Sequence, residues 1–412
     1  MESNLKDIKT QTKLGLLEMA LIIFISAYYI LPSVSNNFPQ VFILFVFMAY
    51  TVYICFKQLK ESAYIIACFL IIAFIALMYT VLTDTDSISA NATNYELKSF
   101  YSKLLQYFYM FFPAFLTFRI ANSADLKQKK LLLTIITIMI VLVIILTIRE
   151  LAINPNITRS WKDFDESSKN NVASYTFVYA IPIFISILVI SFNKSNNGYI
   201  KLLIVLLGIL SFVFLLRAQY TLALLIAVIG LLAGFIKTTK SSWLKLISII
   251  TVAIMLVFSG DILSFMASKV NSSQISLRLR ELSDFFTSGD ASGYNLGSRF
   301  NLYWRSILAF FASPIWGNRS LDFDGHATFL TVLSDTGILG GIPFYYLYFS
   351  MRKRIINVIC DYNKFFNVSF FMLVLMGLTN PIHAAFPVGF TVWFVVPLII
   401  MIINNNSDLR GA

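Results

Sequence analysis

Residues 131–148 read LLLTIITIMIVLVIILTI, eighteen positions without one charged side chain. A helix needs about 20 predominantly apolar residues to cross the hydrocarbon of a bilayer, so this stretch predicts a membrane span. Similar runs recur along the 412-residue chain, which is 58% hydrophobic and 13% charged. A soluble domain has about a quarter charged residues, and the polar helix faces that a large soluble all-α protein needs are almost missing. We expect an all-α, polytopic integral membrane protein.

The apolar runs predict about 12 transmembrane helices in one membrane domain covering residues 1–412. One polar segment, 261–327, is much longer than the others, and we expect it to form a cap with short helices. Within it, residues 277–286 alternate apolar and charged side chains as an amphipathic helix at a membrane interface does. The expected spans are 14–32, 40–56, 63–82, 104–120, 131–148, 172–192, 200–216, 219–236, 243–260, 328–350, 365–379 and 388–404.

The positive charge predicts which way the chain is threaded through the bilayer. Lys and Arg stay in cytoplasmic segments, and with the N-terminus inside, the inner segments hold all of the net charge of +11 while the outer segments are close to neutral. Both termini are then cytoplasmic and 261–327 is outside. The charge follows from topology, so we expect the lipid bilayer as a partner and no nucleic acid. The three cysteines have neither disulfide nor metal spacing.

Charged and titratable groups near the membrane are the candidates for function. Arg217 lies between two apolar runs with almost no loop, where it either lines a cavity or extends to lipid phosphates. His326 precedes an apolar run; it is either a helix-capping residue or a general base. His383 is the only other histidine. Arg299 and Arg305 are six positions apart, so on one helix they would not share a face.

Asp-x-Asp pairs occur at 84/86, 163/165 and 322/324. Carboxylates at this spacing bind divalent cations in enzymes that use nucleotide sugars, but all three pairs are expected outside the cell, where such donors are absent. We therefore predict no metal and leave only Asp322 and Asp324, which adjoin His326, as an open possibility.

Taken in order, these motifs resemble those of the bacterial O-antigen polymerases (Wzy type) and O-antigen ligases. Both are membrane glycosyltransferases of the GT-C kind with about twelve spans and a large late periplasmic loop. Two positions depart from the usual pattern: Leu216 replaces a small polar residue, and Ala327 replaces Asn or Ser. The matching residues are Arg217, Gly297-Ser298-Arg299, Pro314, Gly317, His326, Gly337 and Gly340.

The resemblance implies glycan transfer from an undecaprenyl diphosphate carrier at the periplasmic face of the bacterial inner membrane, without a cofactor. Arg217 and Arg299 would bind the diphosphate, since guanidinium groups pair with phosphate oxygens. His326 would take the proton of the acceptor hydroxyl. A single displacement of this kind inverts the anomeric centre. Weaker candidates for contact with carrier or glycan are Arg305, Arg278, Arg280, His383 and Asp324.

Three functions stay open. A polymerase, which we favour, adds the glycan to another carrier-linked repeat unit, whereas a ligase adds it to lipid A core. A flippase or transporter also has about twelve spans, but it usually contains paired repeats and polar groups at the midplane. The family usually works beside a flippase and a chain-length regulator, which are therefore possible partners.

Overall fold

A computed structural model describes the chain as a helical bundle. The described residues are 14–81, 100–154, 157–158, 172–238, 241–243, 259–269, 276–277, 280, 283–284, 295–318, 327–359, 363–382 and 385–408. The helices within them are α1 Leu16–Ile30, α2 Pro32–Asn37, α3 Gln40–Lys57, α4 Leu59–Val81, α5 Phe100–Ser123, α6 Leu126–Ile153, α7 Tyr175–Lys194, α8 Gly198–Ala218, α9 Thr221–Thr238, α10 Ser259–Lys269, α11 Asn295–Ala312, α12 Thr328–Ile359, α13 Asn363–Thr379, α14 Phe386–Phe390 and α15 Val396–Asp408, with a π-helical turn at Thr391–Val395 before α15.

The helices confirm a polytopic membrane protein. In the part of the chain that the structure describes, seven helices are long and apolar enough to cross a bilayer, and three further apolar helices are shorter. Helices occupy eleven of the twelve predicted spans. The twelfth, 243–260, lies almost wholly outside the described residues. The inner loop expected between Arg119 and Lys130 shrinks to residues 124–125, because α5 and α6 continue almost to each other.

Burial separates central helices from peripheral ones. In α5 and in Phe386–Asn404, 83% of the spanning window is buried, against 22% in α8. Aromatic side chains fill the centre: Trp393 is fully buried, with the rings of Phe111 and Phe370 at 5.9 and 6.0 Å. Since α8 is apolar and mostly exposed, its surface suits lipid rather than water.

Many basic side chains lie at one end of the bundle, which we call the basic end. Polar and aromatic contacts join the ends of eight helices there, so that α7, α9 and α12 finish where α4 and α13 start. These contacts are Glu18–Arg119 at 2.6 Å, Gln58 Nε2 to Phe118 O at 3.3 Å, Arg354–Glu61 at 3.5 Å, Arg352 Nε to Asn367 Oδ1 at 3.0 Å, Lys194 Nζ to the Phe365 ring at 5.8 Å and Asn193 Nδ2 to Thr238 Oγ1 at 2.7 Å.

A buried ion pair connects α1 to α5 at the basic end. The Arg119 guanidinium donates to both Glu18 carboxylate oxygens, at 2.6 and 2.9 Å, and to Ser123 Oγ at 2.6 Å. Tyr50 and Tyr53 donate to the same carboxylate at 3.0 and 3.4 Å. Only 6% and 8% of the two charged side chains is exposed, and the hydrogen bonds compensate for the cost of burying these charges.

Candidate functional site

A turn after α11 packs against a break in α12. Residues 313–318 lie beside Gly337, where α12 departs from helical geometry. The break leaves backbone N–H groups of α12 without their helical acceptors, and the turn supplies carbonyl groups for them. The turn accepts two backbone hydrogen bonds, from Ile338 N–H to Pro314 O at 2.8 Å and from Leu339 N–H to Ile315 O at 3.3 Å, and it donates a third, from Asn318 N–H to Ser334 O at 2.6 Å. Pro314, Gly317 and Gly337, three residues of the family resemblance, thus meet in one element.

Glycine is required on both sides of this contact. Gly337 has φ 59° and ψ −157°, a conformation that is essentially limited to glycine. A Cβ atom there would overlap the carbonyl oxygen of Ile315. Gly317 has φ 80°, and its Cβ would overlap the carbonyl group of Asp335. These motif glycines therefore act in packing rather than in chemistry.

Replacing Gly337 by Ala is expected to destabilise the protein by about 1–3 kcal/mol from backbone strain alone, with the overlap adding to it. The measurement is thermal unfolding of the detergent-purified protein. Gly208→Ala in α8 is the matched control, because no atom lies within 4 Å of the added methyl group and Ala favours a helix over Gly. Equal melting temperatures for the two variants would contradict the packing role.

A second junction joins the start of α12 to the end of α13. Thr328 Oγ1 donates to Asn380 O at 3.0 Å and accepts from Ile382 N–H at 2.7 Å. The Thr328 N–H also donates to Asn380 O, at 3.2 Å. Thr328 follows His326 by two residues, and Ile382 directly precedes His383. The described residues that flank the two histidines are therefore hydrogen-bonded to each other.

Arg217 lies on a tight turn between α8 and α9. It occupies the last turn of α8 and is exposed. Gln219 ends the helix in the left-handed conformation, with φ 58°. Tyr220 fixes the turn by donating to Thr158 O at 3.0 Å. Because α8 begins next to Lys194 and α9 ends at Thr238, the turn lies at the end of the bundle opposite the basic end.

The two arginines of α11 differ in position. The helix is continuous from Asn295 to Ala312, so six residues separate Arg299 from Arg305, or about 120° around the axis at 3.6 residues per turn. Arg305 is exposed. The side chain of Arg299 lies outside the described residues, so the expectation that the two would not share a face stays a prediction.

Several predicted residues cannot be placed. His326, His383, Arg278 and both members of the Asp322/Asp324 pair lie outside the described residues, as does the side chain of Arg299. Arg280 is helical and exposed. Their convergence with Arg217 on one pocket stays a prediction. Among the described residues, no group of three His, Cys, Asp or Glu side chains could hold a metal ion.

Sequence reasoning overlooked Asp335. This carboxylate is 6% exposed, two residues before the break in α12. It is close enough to Tyr79 and Tyr107 to interact with them electrostatically, and the Tyr107 hydroxyl donates to that of Tyr79 at 3.3 Å. Lys103 Nζ lies 4.8 Å from the centre of the Tyr79 ring. A carboxylate within an apolar helix is a candidate for function. In the sequence, the signal that could have identified Asp335 was a single acidic residue within an apolar run.

Comparison with models of known protein families gives no match, and no curated protein matches the chain. The resemblance to O-antigen polymerases and ligases accordingly depends on the motif residues quoted above.

Proposed function

We propose that this chain is a bacterial inner-membrane O-antigen polymerase, or the polymerase of a related surface polysaccharide. It joins undecaprenyl-diphosphate-linked repeat units on the periplasmic face. The supporting observation is the gathering of motif segments at one end of the bundle. The Arg217 turn, Thr328 beside His326, and Ile382 beside His383 all lie opposite the basic end.

The proposed topology has twelve spans, with the basic end and both termini in the cytoplasm. Seven helices meet the length and composition of a span, and the remaining predicted spans complete the count. The motif segments lie at the end of the bundle opposite the basic end. This separation supports a cytoplasmic basic end, because Lys and Arg accumulate in cytoplasmic segments. Residues 261–327 then lie on the periplasmic side, where α11 packs against the first turns of α12.

In the proposed reaction, the acceptor hydroxyl oxygen attacks the anomeric carbon of the donor glycan. The bond from that carbon to the carrier phosphate breaks, and undecaprenyl diphosphate leaves with the bonding electrons. Arg217 and Arg299 bind the diphosphate through paired, charge-assisted hydrogen bonds. His326 takes the acceptor proton. The donor already has a good leaving group, so the proposal needs no metal, nucleotide or redox cofactor.

Other side chains have supporting roles in this proposal. Arg305 and Arg280 are exposed and suit contact with the carrier diphosphate or an acidic glycan. Arg278, His383 and Asp324 complete the set of weaker contacts. A flippase would deliver the donor and a chain-length regulator would limit extension. The second candidate function is the ligase, which shares the donor and the mechanism and differs only in the acceptor.

The test is reconstitution of the purified protein in lipid nanodiscs with carrier-linked glycan, with and without lipid A core. A ladder of longer carrier-linked glycans is expected in both reactions, at a rate that EDTA leaves unchanged. Glycan found only on lipid A core would identify a ligase. Movement of the donor across a vesicle membrane without a new glycosidic bond would identify a flippase. Loss of activity with EDTA would show that a metal is required, with Asp322 and Asp324 as the candidate ligands.

A further inference from the structure

An apolar stripe runs along α11 and the turn that follows it. Three of its members lie on α11 at spacings of four and three positions, so they share one side of the helix, and two more follow in the turn. All are at least half exposed, and Phe311, at 71%, is among the most exposed aromatic side chains of the described chain. We call them the 304–316 stripe: Trp304, Leu308, Phe311, Ile315 and Trp316.

The other side of α11 faces the bundle. Ser306 and Ala309 are 5% and 3% exposed, and the Tyr303 hydroxyl donates to Thr379 O at 3.3 Å. The helix therefore has one face packed against protein and one face, the 304–316 stripe, pointing away from it. In water such a stripe would expose a large apolar patch at a free energy cost.

With α12 taken as a span, as in the proposed topology, the contact at Gly337 sets the depth of the stripe. Fifteen residues of α12 separate Gly337 from Arg352 at the basic end, which is about 22 Å along the helix at 1.5 Å per residue. With the basic cluster at one edge of a hydrocarbon layer about 30 Å thick, Gly337 lies about 8 Å below the other edge. Ile315 and Trp316, in the turn that packs on Gly337, share that depth. This is close to the zone where tryptophan concentrates in membrane proteins.

The stripe also continues an apolar surface on α12. Beyond the break, exposed side chains follow one another at helical spacing toward the basic end: Ile338, Ile342, Tyr346 and Phe349. Ile338 is hydrogen-bonded through its backbone to the turn of the 304–316 stripe. The turn of the 304–316 stripe therefore adjoins the start of the apolar surface of α12, and that surface suits only lipid if the helix spans the bilayer.

We propose that α11 and residues 313–318 form a re-entrant element, with the 304–316 stripe in contact with the acyl chains of the outer leaflet. The long polar segment then includes a part that enters the membrane, in addition to any cap above it. The inference rests on the proposed topology, in which α12 is a span although it is not one of the seven helices that meet the length and composition of one, and it does not rest on the reaction catalysed.

Tryptophan fluorescence tests the contact, because bromine atoms on lipid acyl chains quench only nearby indoles. One variant replaces Trp161, Trp243 and Trp304 by Phe and retains Trp316 and Trp393. A second variant adds Trp316→Phe and retains Trp393 alone, which is fully buried in the bundle. Both are full-length proteins reconstituted in phosphatidylcholine brominated near the head-group end of its chains.

The first variant should lose a clearly larger fraction of its emission than the second, and more with bromine near the head group than near the chain ends. The difference in quenching between the two variants reports on Trp316, because the variants differ only at that residue. Equal fractional quenching of the two variants by bromine, together with quenching of Trp316 by aqueous iodide, would show that Trp316 faces water and would overturn the proposal. Protection of Trp316 from both quenchers would show that protein covers it and would overturn the proposal as well. Both variants should retain whatever polymerase activity the parent shows, which separates this test from that of the function.

Discussion

Replacing His326 by Ala is expected to abolish formation of long glycan chains, with a rate loss of about 10²–10⁴-fold, the usual contribution of a general base. The acceptor hydroxyl is a weak nucleophile until its proton is removed, and no other histidine is proposed for that step. The measurement is the length distribution of the polysaccharide in cells that make the variant at the parental protein level. Purified protein with carrier-linked glycan gives the rate directly.

His383→Ala is the matched control for that experiment. His383 directly follows Ile382 in the sequence, and Ile382 is hydrogen-bonded to Thr328, two residues after His326. Loss with the first variant and retention with the second assigns the proton transfer to His326. Normal chain length in the His326→Ala strain would remove the catalytic role, and the opposite pattern would transfer the role to His383.

Replacing Arg119 by Ala is expected to destabilise the protein by about 3–5 kcal/mol, because the Glu18 carboxylate would then remain buried without its cation. Tyr50 and Tyr53 would still donate to it, but neutral donors do not replace a charge. The contact between α1 and α5 at the basic end would loosen. The measurement is thermal unfolding of the purified protein, together with its yield from membranes.

Arg354→Ala provides the control, since this arginine also pairs with a glutamate at the basic end. The Arg354–Glu61 distance is 3.5 Å and the two side chains are 45% and 22% exposed. Exposed pairs contribute about 0–1 kcal/mol. The double variant Glu18→Ala, Arg119→Ala should recover part of the loss, because it removes both buried charges. A loss no larger for Arg119→Ala than for Arg354→Ala would contradict this account.

Hydropathy predicted the helices well and their ends less well. The span expected at 328–350 begins correctly, yet α12 continues to Ile359. A change in hydropathy marks where lipid ends, whereas a helix continues into water as long as its residues favour it. Arg352, Lys353 and Arg354 have good helix propensity, so the backbone stays helical through them. The same reasoning explains why α5 begins at Phe100, before the predicted 104.

Features that depend on distant parts of the chain were beyond sequence reasoning. The motif glycines were recognised, but their contact through residues 313–318 requires two segments about twenty positions apart to meet. Glu18 lies inside the first predicted span, 14–32, and nothing local identifies Arg119 as its partner. The amphipathic helix expected at 277–286 lies mostly outside the described residues, and the apolar stripe on α11 was not anticipated. Hydrophobic spacing shows which side of a helix is apolar and not what covers it.

The two junctions described above fix the chain on both sides of the proposed base. Asn318 is hydrogen-bonded to Ser334, and Thr328 is hydrogen-bonded to Asn380 and Ile382. These partners belong to α12 or to the residues that follow α13, so the two anchors do not depend on the positions between them. A substitution that weakens one anchor, such as Thr328→Val, would therefore change how the segment with His326 is attached without altering the imidazole that we propose as the base.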